Sequence, residues 1–204
     1  MIVHVDPAFI IAEKPPGLPT VPGRPVELHD CLWHRIRELH ADALVVHRLD
    51  MGTSGLVVFA RGIEAQRALS RAFEQRLVGK TYVALAAGEL AADHGEIDLP
   101  LAADWLARPR QVVDREHGKA ALTRWRVLER SGAHTRVELQ PRTGRSHQLR
   151  VHLAAIGHPL LGDPLYASPE IEAAMPRLAL HAHGLAFIHP FEHTPRVYAS
   201  DVPF

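Results

Sequence analysis

The stretch His47-Arg-Leu-Asp-Met-Gly-Thr-Ser-Gly55 lies between two short apolar runs, Leu44 to Val46 and Leu56 to Ala60. Both runs are too short for helices and are rich in valine. They read as strands, with the polar, glycine-containing segment between them as a loop. Such a loop holds Asp50 at the end of a rigid scaffold, with Arg48 close by and a Thr53-Ser54-Gly55 turn behind it. Small hydroxyl residues and glycine close a tight loop and keep a neighbouring side chain in one rotamer. The residues alone leave two readings of Asp50 open: a carboxylate aimed into a cleft for chemistry, or a structural aspartate that closes a turn.

Working outward, Ile2 to Val5 and Phe9 to Glu13 read as a hairpin that ends in Lys14-Pro-Pro-Gly-Leu-Pro-Thr-Val-Pro-Gly23. So many prolines suit neither helix nor strand. Leu28 to Leu39 has helical spacing with Asp30 near its start, and Glu64 to Leu77 puts Ala65, Leu69, Ala72, Phe73 and Leu77 on one helical face. Strands are predicted at Lys80 to Ala86, Ala121 to Leu128 and Arg136 to Leu139, with a loop region around Pro100 to Arg110. Ser146 is the predicted N-cap of a helix from Gln148 to Ile156 that Gly157 ends. Leu178 to Ile188 and Arg196 to Ala199 supply the last strands. Strands dominate, helices are scattered and no regular βαβ alternation occurs. The expectation is an α+β fold on a mixed, mostly antiparallel sheet, with residues 1–204 forming one domain.

Composition narrows the class. Hydrophobic residues at 47% and charged residues at 23% fit an ordinary globular core and exclude disorder and coiled coil. No apolar run approaches bilayer length, so a membrane protein is not expected. The single cysteine, Cys31, rules out an internal disulfide and a cysteine-based zinc site and fits a reducing cytosol. Met1-Ile-Val-His-Val-Asp6 has no secretory character, so a cytoplasmic protein is expected. Net charge is zero, yet residues 108–150 contain eleven basic side chains and four acidic ones. That stretch is either a phosphate-facing surface or a solvated, arginine-rich face.

A second polar cluster is Arg142-Thr-Gly-Arg-Ser-His-Gln-Leu-Arg150, where a strand turns through Gly144 into a helix. Backbone N–H groups and basic side chains at a helix start form an anion site. His147 and Arg150, three apart, would share a helical face. The alternative is a capped helix with solvated arginines. His181-Ala-His183, with His147 and His152, invites a metal reading, but no HExxH motif or Cys/His ladder supports one. Ser146-His147 is not a catalytic dyad, since adjacent helical residues point apart, and no P-loop or GxGxxG segment points to a nucleotide cofactor.

Taken together, His47–Gly55, Lys80-Thr-Tyr82, Arg142–His152, Gly157-His-Pro-Leu-Leu-Gly-Asp-Pro-Leu-Tyr166 and Leu180-His-Ala182 resemble, in order, the motifs of the RluA-type pseudouridine synthases. The resemblance spans nearly the whole chain from Lys14-Pro-Pro-Gly17 onward. It implies a pseudouridine synthase catalytic fold without an S4-like RNA-binding domain, needing no cofactor, no metal and no obligatory protein partner. Compact length and Asp104-Trp-Leu-Ala-Arg-Pro109 are similar to the branch that acts on tRNA and large-subunit ribosomal RNA. By this resemblance Asp50 is the catalytic carboxylate that starts breakage of a uridine's N-glycosidic bond. Tyr82 would stack on the flipped base and assist loss of the C5 proton. Arg150 would pair with Asp50 and keep it ionised. Arg48 would enter the RNA where the uridine had been, and Arg142, Arg145 and His147 would face the RNA. Gly52 stands at a variable small-residue position, and the alanine- and acid-rich segment between Ala86 and Leu99 is not expected to touch RNA. The competing classes are a non-catalytic RNA-binding module and a metal-dependent hydrolase built on the histidines.

Overall fold

The computed structural model describes residues 1–23 and 25–204. In chain order its strands are β1 (Ile2–Val5), β2 (Phe9–Lys14), β3 (Ala43–Val45), β4 (Ser54–Arg61), β5 (Gly79–Ala87), β6 (His94–Asp98), β7 (Leu101–Ala103), β8 (Gln111–Val113), β9 (Leu122–Arg130), β10 (His134–Pro141), β11 (Leu180–Ile188) and β12 (Pro195–Ala199). The helices are α1 (Leu32–Leu39), α2 (Gly62–Glu74), α3 (Gln148–Ala155) and α4 (Pro169–Ala173). The chain forms two compact units, Met1–Lys80 with Ala182–Pro203, and Thr81–His181 with Phe204.

In the first unit β2 pairs antiparallel with β1 on one side and with β4 on the other, and β3 pairs with the far end of β4. β11 and β12 form an antiparallel ladder from Gly184↔Ala199 to Ile188↔Pro195. β4 is buried from Ser54 through Ala60, which explains its unbroken apolar run: a strand covered on both faces has no polar side to show. Phe9, Ile11, Leu56, Val58, Leu185 and Phe187 make the core with Ala65 and Leu69 of α2. Both predicted helices are shorter than their apolar spacing suggested. α1 begins only at Leu32, after a separate 3₁₀ turn at Val26–Leu28, and Asp30 pairs with Arg35 rather than capping the helix.

The second unit is an antiparallel meander in which β10 lies between β5 and β9, and β6 adds to the far side of β9. On β10, Thr135, Val137 and Leu139 face inward, matching the predicted alternation. α3 packs on this sheet through Leu149 and Leu153, against Ala84, Ala86, Val137, Leu139, Leu160 and Leu178. β6 lies in the acid-rich segment that offered no apolar period, and β7 and β8 form a separate two-stranded hairpin that begins inside the region expected to be loop and ends just past it. Ser168 caps α4, a helix too short and polar to leave a hydrophobic period. The fold is α+β, with few helices on mostly antiparallel sheet.

Candidate active site

The loop that carries Asp50 is fastened to its own unit at each neighbouring residue. Thr20 Oγ1 accepts the Leu49 N–H at 3.1 Å and donates to the Leu49 carbonyl at 2.9 Å, so one hydroxyl replaces a strand partner. Gly17 N donates to the Met51 carbonyl at 2.9 Å, and Thr53 N donates to the Asp50 carbonyl at 3.1 Å. Lys14 is fully buried, and its ammonium donates to the carbonyls of Pro15, Leu18 and Met51 at 2.7–2.9 Å. A buried ammonium needs such acceptors, because desolvation without them is very costly. The proline-rich segment therefore folds over the Asp50 loop and pins it from the N-terminal side.

Further along the loop, Gly55 has φ +112°, and a Cβ there would stand 2.4 Å from the Ala182 carbonyl oxygen; only glycine fits. His47 stacks on Phe73 with ring centroids 4.5 Å apart, and its Nε2 accepts the Val58 N–H at 3.0 Å. An acceptor nitrogen carries no proton, so the ring is neutral with its proton on Nδ1. Burial, and then the positive charge of Lys80, pull its pKa down to about 3. Out of this fixed base Asp50 emerges half-buried, while Arg48 stands exposed.

The second unit carries the other candidates. Tyr82 lies half-buried on β5 opposite Leu139 of β10. The segment from Arg142 to His147 leads into α3, but the predicted cap is not the one used. Ser146 is exposed, and His147, in the left-handed region at φ 54°, occupies the N-cap position without a side-chain cap bond. Gln148 takes over the fastening. Its Oε1 accepts from Thr143 Oγ1 at 2.7 Å and Arg145 N at 3.0 Å, and its Nε2 donates to the Leu122 carbonyl and Thr123 Oγ1 at 3.0 Å. Because His147 falls outside the helix, it does not share a helical face with Arg150. Both meet Tyr166 instead: His147 Nδ1 lies 2.7 Å from the Tyr166 hydroxyl, and the Arg150 guanidinium lies 5.0 Å from the ring centre.

Arg150 is 5% exposed and donates from Nε and Nη2 to the two oxygens of Asp163 at 2.8 and 2.6 Å. Asp163 Oδ1 also accepts the Leu165 and Tyr166 N–H groups, which closes the turn that follows Gly162. A bidentate pair of this kind fixes both the plane and the direction of the guanidinium. His152, also buried, hydrogen-bonds Thr123 Oγ1 through Nδ1 and the Leu99 carbonyl through Nε2, and burial lowers its pKa. Arg142 and Arg145 are exposed, and Arg145 Nε donates to the Ala120 carbonyl.

The residues that sequence reasoning did not single out are the ones that hold others still: Lys14, Thr20, Gln148, Asp163 and Tyr166. Asp163-Pro164 carried a usable signal, since Asp before Pro marks a turn closed by its carboxylate. The remaining four act through contacts distant in sequence. Among the described residues no three His, Cys, Asp or Glu side chains gather as a metal-binding set, and no helix is long and apolar enough to cross a membrane.

Residues 8–155 match the family model of RNA pseudouridylate synthase. The chain is 48% identical over 192 residues to the dual-specificity RNA pseudouridine synthase RluA of Vibrio cholerae, covering 94% of this chain and 78% of that protein. It is 46% identical over 205 residues to the protein of the same name from Yersinia pestis, covering 100% of both. A solved structure of human RNA pseudouridylate synthase domain containing 1 is similar with a TM-score of 0.84 and 28% identity, over 100% of this chain and 83% of that one. With its motifs in order and its fold shared from end to end, the chain belongs to the RluA-type RNA pseudouridine synthases, isomerases that act on RNA.

Proposed function

We propose that the enzyme isomerises specific uridines in the loops of tRNA, of large-subunit ribosomal RNA, or of both, in the cytoplasm, with Asp50 as its catalytic carboxylate. The observation that carries this reading is the construction of the Asp50 loop, where Thr20, Gly17 and Lys14 bind the backbone on either side of a half-exposed carboxylate. A turn-closing aspartate spends its oxygens on the loop's own N–H groups. Among the described residues Thr20, Gly17 and Lys14 do the closing, which leaves the carboxylate for chemistry.

In the reaction the bond between uracil N1 and C1′ of the ribose breaks, the base turns, and C5 bonds to C1′. The proton on C5 then leaves and N1 gains one, so the balance closes without oxidant, metal or cofactor. Asp50 initiates the cleavage. Tyr82, on a strand fixed by its register with Leu139, presents its ring to the base and helps remove the C5 proton. Arg150 supplies the positive charge that keeps a catalytic carboxylate ionised, and Asp163 fixes its orientation. Arg48, exposed and long, fills the stack that the extruded uridine leaves; that extrusion costs a few kcal/mol and less in a loop than in a helix. Arg142, Arg145 and His147 line the approach of the strand. The branch of relatives named for dual specificity supports the substrate class.

The test is twofold. Pseudouridine mapped across total RNA from cells with and without the protein should differ at a few uridines in tRNA, large-subunit ribosomal RNA or both. Asp50→Asn protein should fold and bind the same RNA while forming no pseudouridine. Turnover by pure Asp50→Asn protein, with deamidation excluded, overturns the assignment of Asp50.

A further inference from the structure

The hairpin of β7 and β8 ends in an exposed apolar tip that the assigned residues do not use. Trp105 is 75% exposed and Leu106 fully so, two large apolar side chains next to each other in sequence. The tip is built rather than loose. Asp104 Oδ1 accepts the N–H groups of Leu106 and Ala107, both at 3.1 Å. Asp104 N donates to the Arg110 carbonyl and Arg110 N to the Ala107 carbonyl. At the root, Leu101 is buried with Ala121 and Val151, and Gln111 N donates to the Tyr166 hydroxyl at 2.8 Å. A rigid hairpin anchored beside α3 thus holds an indole in solvent, at the cost of leaving it wet.

Its electrostatic setting identifies the occupant. The Arg108 guanidinium covers the Trp105 ring at 3.8 Å from the centroid, and the Arg110 guanidinium lies 5.4 Å from the centre of Tyr166. Arg108, Arg110, Arg115 and Lys119 are exposed and make no ion pair among the described residues. Asp104 and Asp114 turn carboxylate oxygens onto backbone N–H groups of their own loops. Arg145 ties to the Ala120 carbonyl, one residue after Lys119 pairs with Leu101, which joins Arg145 to the same cationic surface. An aromatic face among arginines that make no ion pair with an acid suits a π-surface that carries a negative charge. That description fits an unpaired nucleotide, its base on the ring and its phosphate on the guanidinium groups.

We propose that Trp105 and Arg108 form a stacking platform for an unpaired base of the RNA, with Arg110 and Arg115 on its phosphates. The platform lets the enzyme prefer loops over duplex, because a paired base keeps its faces inside the stack. This inference rests on the reading of the protein as an enzyme of RNA loops, and the test separates the two. Full-length wild type, Trp105→Ala, Trp105→Phe and Arg108→Ala are compared for binding to a stem-loop RNA with an unpaired, uridine-containing loop and to a blunt duplex of the same stem. Pseudouridine formation on the stem-loop is followed in parallel, and thermal unfolding confirms that the variants are folded.

Trp105→Ala should bind the stem-loop about tenfold more weakly, as loss of one base–aromatic stack does, with little change on the duplex. Trp105→Phe should recover most of the loss, and Arg108→Ala should fall between. An unchanged Kd for Trp105→Ala, or an equal loss on both RNAs, overturns the platform. So does a change from dimer to monomer in Trp105→Ala, which would show the tip covered by a second copy. A wild type that binds with this loop preference yet forms no pseudouridine in any RNA would leave the platform standing and overturn the substrate reading instead.

Discussion

A single hydroxyl shows how much of the candidate site depends on groups outside it. Thr20 is 3% exposed, and its Oγ1 serves both backbone groups of Leu49, the residue before Asp50. Thr20→Val keeps the volume and removes both bonds, so a buried N–H and a buried carbonyl lose their partner at about 1–3 kcal/mol each. Stability should drop by about 2 kcal/mol or more in urea unfolding, and the single-turnover rate should fall because the loop loses its fixed point. Thr20→Ser, which restores the oxygen, should recover most of both; equal behaviour of the two variants would detach Thr20 from the loop. The sequence made Asp50 legible because loop, flanking strands and family motif all converge on it. Thr20 was invisible there, since its bond to Leu49 spans 29 positions and a threonine among prolines reads only as turn chemistry. Lys14 was hidden for the same reason: a lysine beside two prolines reads as surface, whereas the chain folds back to give it three carbonyls.

Among the elements, α3 explains both what pattern reading found and what it could not. Its residues Gln148 to Leu153 are all buried, so the helix has no polar face toward solvent and its amphipathic period is weak. The polar members are buried because each has a built-in partner: Gln148 with Thr143 and Thr123, His152 with Thr123 and Leu99, and Arg150 with Asp163. Strands with apolar runs, such as β2, β4 and β11, were found to within a residue or two. β6, β7 and β8 were not, because short strands facing water carry little hydrophobic period and owe their existence to the ladder they join. The Arg150–Asp163 pair makes a direct prediction at this scale. Asp163→Asn leaves a buried guanidinium facing a neutral amide, and breaking a buried pair by neutralising one partner costs about 3–5 kcal/mol. The variant should melt well below wild type, and catalysis measured below that transition should fall more than RNA binding. Unchanged melting would mean that the guanidinium finds its compensation elsewhere.

Across the whole molecule, formal charge misstates what RNA meets. Of the eleven basic residues in 108–150, Arg124, Arg126, Arg130 and Arg150 are paired with Glu96, Glu138, Asp93 and Asp163, and Arg136 holds the carbonyl of Phe204. The exposed cations of this stretch that make no ion pair among the described residues are Arg108, Arg110, Arg115, Lys119, Arg142 and Arg145, the last of which also meets the Ala120 carbonyl. With each phosphate contact contributing about 0.7–0.9 to the slope of log K against log salt, the slope should stay near or below about 5 in magnitude. Arg126→Gln should leave it unchanged, whereas Arg115→Gln should reduce it by somewhat under one; the reverse ranking would place the RNA on the paired face. Stability answers to pH through a different group. Folded His47 has a pKa of about 3 against an ordinary 6.5, so between those values the unfolded chain holds a proton that the native protein excludes. Stability therefore rises with pH through that window and is lost as pH falls from 6.5 toward 3, while above 6.5 this histidine contributes no slope. His152, whose pKa burial also lowers, acts in the same direction. In His47→Gln an amide oxygen can still accept the Val58 N–H, and nothing at the position titrates. Urea unfolding from about pH 7 to about pH 5 should show wild type losing stability faster than His47→Gln, by about 1–2 kcal/mol across the range. Parallel curves would show that the His47 ring accepts its proton in the folded state, and so that the hydrogen bond from Val58 does not hold it neutral.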